Sequence, residues 1–170
     1  MQEPNIGDYF VVHTTGIAAR LIQLGTWSKW NHAGIYVGNG LIIEARPSGV
    51  KSAPLSKYDN NKIIWSTGHD SSLTKAEGEK IAKFALGFAG TEYGIWSIIA
   101  LGFKCLTFGI PLIPADWLAI REKKVICSQL VAWSYSHVKI KLSNKKHALV
   151  RPKDLAERCI RTMDLWPTEK

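Results

Sequence analysis

At 170 residues, with 46% hydrophobic and 21% charged residues, the chain can bury one sizeable core but is too short for two ordinary domains; residues 1–170 read as a single domain, and disordered or collagen-like classes are excluded. A formal charge of +8 favours anionic surfaces in general. No nucleic-acid motif accompanies the basic stretches at Arg121–Lys124 and Lys139–Lys146, so these read as solvated surface and no nucleic-acid partner is expected.

After the turn at Asn5-Ile6-Gly7, Asp8 to His13 reads as a first strand, and Ile17 to Leu24 has the apolar rhythm of a short helix. Ala33–Val37 and Leu41–Ala45 follow as two strands around Gly38-Asn39-Gly40. Lys62 to Ser66 is a third apolar strand region. Thr74 then opens a helix, because Thr74-x-x-Glu77 is a capping box and Ile81, Phe84, Ala85 and Phe88 fall on one face. Ile95 to Pro114 is apolar but interrupted by Gly102, Lys104, Gly109 and Pro111, which suits a buried helix and loop better than a membrane span. Peripheral membrane contact through 95–114 is the alternative. Cys127 to Tyr135 reads as another helix, and Arg151-Pro152 as the turn into a last short one. Strands grouped early with helices around them predict an α+β fold with a small antiparallel sheet.

The hairpin has a preferred register. A two-residue Asn39-Gly40 loop would put Glu44 and Arg46 on the face of Ala33, Ile35 and Val37. A three-residue Gly38-Asn39-Gly40 loop pairs Gly34 with Glu44, and gathers Ala33, Ile35, Val37, Leu41, Ile43 and Ala45 on one apolar face. The other face then carries His32, Gly34, Tyr36, Ile42 and Glu44. His32 and Glu44 become diagonal neighbours, roughly 7–8 Å apart, within reach of two long polar side chains. A wet face of an amphipathic hairpin is the plain alternative. Gly34, between them, leaves room for a helix end to approach.

Cys105, Cys127 and Cys159 are odd in number and widely spaced, which argues against a disulfide framework and against a Cys-x-x-Cys zinc knuckle. With no His-Glu-x-x-His and no phosphate-cradling glycine loop either, no metal and no cofactor are expected. A cysteine in an apolar helix is more often a core residue than a nucleophile, and Cys105 and Cys159 are read that way. Cys127 differs by standing where an amphipathic run begins, since a helix N-terminus favours the thiolate.

The stretch Trp30-Asn31-His32-Ala33-Gly34-Ile35-Tyr36-Val37-Gly38-Asn39-Gly40, with Ile43-Glu44-Ala45 and Gly49-Val50, followed much later by Ile126-Cys127-Ser128-Gln129-Leu130-Val131, resembles the permuted NlpC-type papain-like cysteine hydrolases, a group similar to lecithin-retinol acyltransferase-like proteins. In permuted members the His strand precedes the Cys helix, as His32 precedes Cys127. The resemblance implies a circularly permuted papain-like fold, a catalytic triad of Cys127, His32 and Glu44, and a thiol hydrolase (amidase or cysteine peptidase) that cleaves a peptide or N-acyl amide through an acyl-enzyme. A lipid-handling acyltransferase, thioesterase or acyl-binding protein is the alternative. A peptide, cell-wall or lipid-like substrate, a monomer, and a bacterial or phage origin go with it. Tyr36, on the His32 face, is a candidate for substrate binding. The opening Met1-Gln2-Glu3-Pro4-Asn5 shows no secretory signal, so a cytoplasmic location is expected.

Overall fold

A computed structural model describes residues 4–16, 19–20, 23–24, 27–66, 73–93 and 124–160. The expected apolar segment 95–114, with Cys105, falls outside the described residues. Of the helix expected over Ile17–Leu24, only Ala19, Arg20, Gln23 and Leu24 are described, and all four are helical.

The fold is α+β. Five strands, β1 (Tyr9–His13), β2 (His32–Gly38), β3 (Leu41–Arg46), β4 (Gly49–Pro54) and β5 (Lys62–Trp65), form one sheet in the order β4-β3-β2-β1-β5 with antiparallel neighbours throughout. A 3-10 turn, Leu55–Tyr58, joins β4 to β5. Helix α1 (Lys75–Leu86) begins at the predicted capping box, where Thr74 N–H donates to Glu77 Oε2 at 2.9 Å and Glu77 N–H donates to Thr74 Oγ1 at 3.3 Å. The short strands β6 (Glu92–Tyr93) and β7 (Lys124–Val125) pair in parallel just ahead of α2 (Cys127–His137), and α3 (Pro152–Ile160) closes the described chain. Pro152 opens α3 at the position where its missing N–H costs nothing. No helix among the described residues is long and apolar enough to cross a membrane.

Strand alternation divides the sheet into two apolar faces. Tyr9, Val11, Ala33, Ile35, Ile43, Ala45 and Ile64 pack against Ile81 and Ala85 of α1 and Leu130, Val131 and Tyr135 of α2. Phe10, Val12, Tyr36, Ile42 and Tyr58 make a second cluster on the reverse side. The face carrying His32 and Glu44 is therefore not a wet one: both residues are buried beside an aromatic layer.

The hairpin keeps the predicted pairing of Gly34 with Glu44, Ile35 with Ile43 and Tyr36 with Ile42. The loop differs from the three-residue one expected. Gly38 pairs directly with Leu41, so the turn is the two-residue Asn39-Gly40, and a bulge between Tyr36 and Gly38 absorbs Val37. Both turn residues have positive φ, 54° at Asn39 and 68° at Gly40. Such a turn matches the strand twist, and the bulge lets it coexist with the register that the apolar pattern demands.

Candidate active site

Three elements bring the site together. Glu44 lies in the middle of β3, opposite Gly34. His32 is the first residue of β2. Cys127 is the first residue of α2, whose start is fixed by Ile126 N–H donating to Gln129 Oε1 at 3.1 Å and whose flank is tied by Ser128 Oγ–H donating to Val150 O at 2.6 Å. The predicted trio converges.

His32 Nε2 hydrogen-bonds Glu44 Oε2 at 2.7 Å. The Cys127 thiol is the other neighbour that acts on this ring, through hydrogen-bonding and charge effects on its titration. With Nε2 committed to Glu44, the nitrogen turned to the thiol is Nδ1. The backbone N–H groups of Ala33 and Ser128 also favour the thiolate.

Glu44 is held on both oxygens. Oε2 also accepts from Tyr58 Oη–H at 2.5 Å, while Oε1 accepts from Lys57 Nζ at 2.6 Å and lies 3.7 Å from Arg46 Nε. Its side chain is only 1% exposed, a depth at which an unpaired carboxylate would be costly. Burial would raise its pKa, but the bonds from His32, Lys57 and Tyr58 outweigh burial and hold it down to about 2. For His32, burial opposes the charged form, yet the hydrogen bonds and charges of Cys127 and Glu44 prevail and push it up to about 9. Burial likewise pushes the Cys127 thiol up, and the His32 imidazolium with the two backbone donors brings it below the ordinary thiol value. The arrangement favours a thiolate beside an imidazolium that leans on a carboxylate.

No family model matches the chain, and no curated protein matches it. Among solved structures, the crystal structure of metalloprotein yiiX from Escherichia coli O157:H7, DUF1105, matches with a TM-score of 0.63 and 19% identity, over 85% of this chain and 72% of that one. The two proteins share a fold. At that identity the likeness speaks to architecture alone, and the chemistry rests on the side chains described above.

Other predicted features fall differently. Tyr36 is buried in the second cluster, edge-on to Trp65, and its hydroxyl accepts from Gly40 N–H at 3.1 Å. Four residues along β2 from His32, it stands about 13 Å away by strand geometry. It lines instead a cavity of about 510 Å3 with Ile6, Asp8, Gly38, Ser66 and Tyr135 among others, which includes none of Cys127, His32 and Glu44. The room left by Gly34 is filled by the Phe10 ring, two of whose carbons would sit 2.7 Å from an added Cβ, rather than by a helix end. The helix start reaches His32 at the strand end.

Of the other histidines, His13 holds Lys29 O at 2.8 Å, and His137 stacks on Phe84 with ring centroids 4.3 Å apart. His147 lies in a 3-10 turn, and His69 is outside the described residues. Cys159 is a core residue, as expected, with its thiol donating to the Tyr9 hydroxyl at 3.3 Å.

Sequence reasoning missed Lys57, Tyr58 and Arg46. Arg46 had a detectable signal, being two residues from Glu44 on the same face of its strand. Lys57 and Tyr58 had none, because their approach depends on β4 and the 3-10 turn folding back over the sheet.

Proposed function

We infer that the protein is a cysteine hydrolase of the permuted papain-like type, cleaving an amide through Cys127, His32 and Glu44. The observation that carries this reading is His32 bonded to a buried carboxylate and coupled in its titration to a thiol at a helix start. Each group then has a role. The Cys127 thiolate attacks the carbonyl carbon, and the Cys127 N–H at the start of α2 is the donor for the developing oxyanion. The His32 imidazolium gives its proton from Nδ1 to the leaving amine as the C–N bond breaks, leaving an acyl-enzyme. Neutral His32 next takes a proton from water, whose oxygen attacks the thioester carbonyl; the thiolate departs and the acid product is released. Glu44 holds Nε2–H throughout, orienting the ring and stabilising its charged form. If an alcohol or amine replaces water at the second step, the same groups perform acyl transfer, so the acyltransferase reading shares everything up to the acyl-enzyme.

Because yiiX is a metalloprotein, a metal centre is another reading. The donor set here does not suit one. Among the described residues no three His, Cys, Asp or Glu side chains group as metal ligands. The carboxylate of the site, Glu44, is already neutralised by Lys57 and His32 with Arg46 beside it, and a cation added there would meet like charge.

The test is modification of Cys127 by a thiol-reactive probe at pH 5 to 6, followed by peptide mapping against Cys105 and Cys159. An ordinary thiol is almost inert at that pH, having a pKa near ~8.5. Labelling of Cys127 at least tenfold faster than Cys159, and lost in His32→Ala, is the expected result. A rate that simply follows ordinary thiol ionisation would remove the nucleophile from the proposal.

A further inference from the structure

The second oxygen of Glu44 is used by none of the steps above, yet it carries a contact as close as the one to His32. Lys57 Nζ lies 2.6 Å from Oε1 with its side chain 31% exposed, while the carboxylate beneath is almost wholly buried. Lys57 therefore reaches from the rim of the site down to a group that touches His32. It is placed by the 3-10 turn Leu55–Tyr58, whose next residue supplies the hydroxyl on Oε2. Two adjacent residues of one turn thus grip both oxygens of the carboxylate that orients the imidazole.

Resting on the hydrolase reading, we propose that Lys57 is a positioning residue which acts through Glu44 to set the pH at which His32 loses its proton. The physical reason is charge. A carboxylate bound to one imidazolium and nothing else holds that proton with its full negative charge; the same carboxylate shared with an ammonium holds it less strongly, and the ammonium repels the imidazolium directly. Lys57 thereby keeps His32 able to part with its proton to a leaving group, where an unshared Glu44 would retain it. Among the described residues, the charged and titratable groups at His32 and its carboxylate are Cys127 from α2, Glu44 and Arg46 from β3, and Lys57 and Tyr58 from the 3-10 turn. Of the cations among them, Lys57 makes the close contact, since Arg46 Nε stands 3.7 Å from Oε1.

The readout needs no substrate. Iodoacetate is an anion, so its reaction with Cys127 speeds up as the thiolate forms and slows again when the neighbouring imidazolium loses its proton. The falling limb therefore reports His32. In the full-length protein, with modification of Cys127 followed by mass spectrometry, Lys57→Gln and Lys57→Met are expected to move that limb upward by about half a pH unit or more, and Lys57→Arg to leave it near the wild-type position. A lysine that merely packed would alter the height of the profile without moving the limb. The proposal is overturned if the limb in both neutral variants coincides with the wild type or moves down, or if Lys57→Arg shifts it as far as Lys57→Gln does. If the wild-type profile itself shows only an ordinary thiol titration, the hydrolase reading fails instead, and this inference with it. The two failures are told apart by which protein shows them.

Discussion

At the scale of single residues, the site is a chain of proton donors and acceptors, and every buried side-chain nitrogen or oxygen among the described residues has a partner. Cys127 is 3% exposed, so its thiolate depends on local donors rather than on water: the His32 ring and the N–H groups of Ala33 and Ser128. Removing each member should hurt in proportion to its distance from the reacting atoms. Cys127→Ala is expected to abolish turnover while leaving the circular dichroism spectrum unchanged. In steady-state assays on an amide substrate, His32→Ala should cost about 10³-fold or more in kcat, and Glu44→Gln clearly less, because a glutamine can still accept from Nε2–H through its carbonyl. An equal or larger loss for Glu44→Gln would give the carboxylate a part beyond orienting the ring and stabilising its charge. The burial of Glu44 makes a second contribution, since the amide must also satisfy Tyr58 and leaves Lys57 without its counter-charge.

At the scale of elements, the positions of the strand and helix ends matter more than their interiors. His32 and Cys127 meet because one begins a strand and the other begins a helix. Their approach is set by how α1 and α2 lie on the sheet, through Phe88 beside Trp133 and Phe84 beside His137. The seat of α1 depends on one backbone crossing. A Cβ added to Gly78 would stand 2.1 Å from Ile6 O, and one added to Gly7 would stand 2.5 Å from Gly78 Cα, with Gly7 at φ +94°. Gly→Ala inside a helix ordinarily gains about 0.5–1 kcal/mol. Here the gain is outweighed, since the obstruction is backbone and has no rotamer to adopt. Gly78→Ala should therefore lower the unfolding free energy by about 1–3 kcal/mol, read as a reduced urea midpoint. A stabilised Gly78→Ala would mean that the Ile6–Gly7 segment does not cross α1 this closely.

On the scale of the whole molecule, the buried charges couple stability to pH. Glu44 has its folded pKa lowered from 4.5 to about 2. A depressed carboxylate contributes stability that is present above its unfolded value and is lost as pH falls through the folded one, so this contribution should fade between about pH 4.5 and 2. Asp154, held low against burial by Arg151 and Lys145, acts in the same direction. His32 is raised to about 9, so its contribution is full below the unfolded value of about 6.5 and declines as pH rises through 9. Cys127, being lowered, works in the opposite sense. The proton retained by His32 is the one that Cys127 has released, so the two contributions oppose one another. Urea midpoints measured against pH should thus fall on the acid side, and Glu44→Gln should remove part of that fall. An acid limb of undiminished slope in Glu44→Gln would show that Glu44 is not the depressed carboxylate.

Much of this was legible in the chain, and the reason lies in the range of the forces. The strands, the capping box at Thr74 and the pairing of Gly34 with Glu44 follow from residues within a dozen positions of one another. The apolar pattern and local hydrogen bonds specify them before any tertiary contact forms. The same local logic placed Cys127 at a helix start and His32 diagonal to Glu44. It did not reach β4, the 3-10 turn that follows it or the bulge at Val37. Nor could it show that the Phe10 ring fills the space above Gly34. Those depend on where β1 and the Leu55–Tyr58 turn come to rest against the central hairpin. Only the packed structure decides which side chains are driven together once water is excluded, and so only there does a buried Glu44 acquire the lysine and tyrosine that offset its charge.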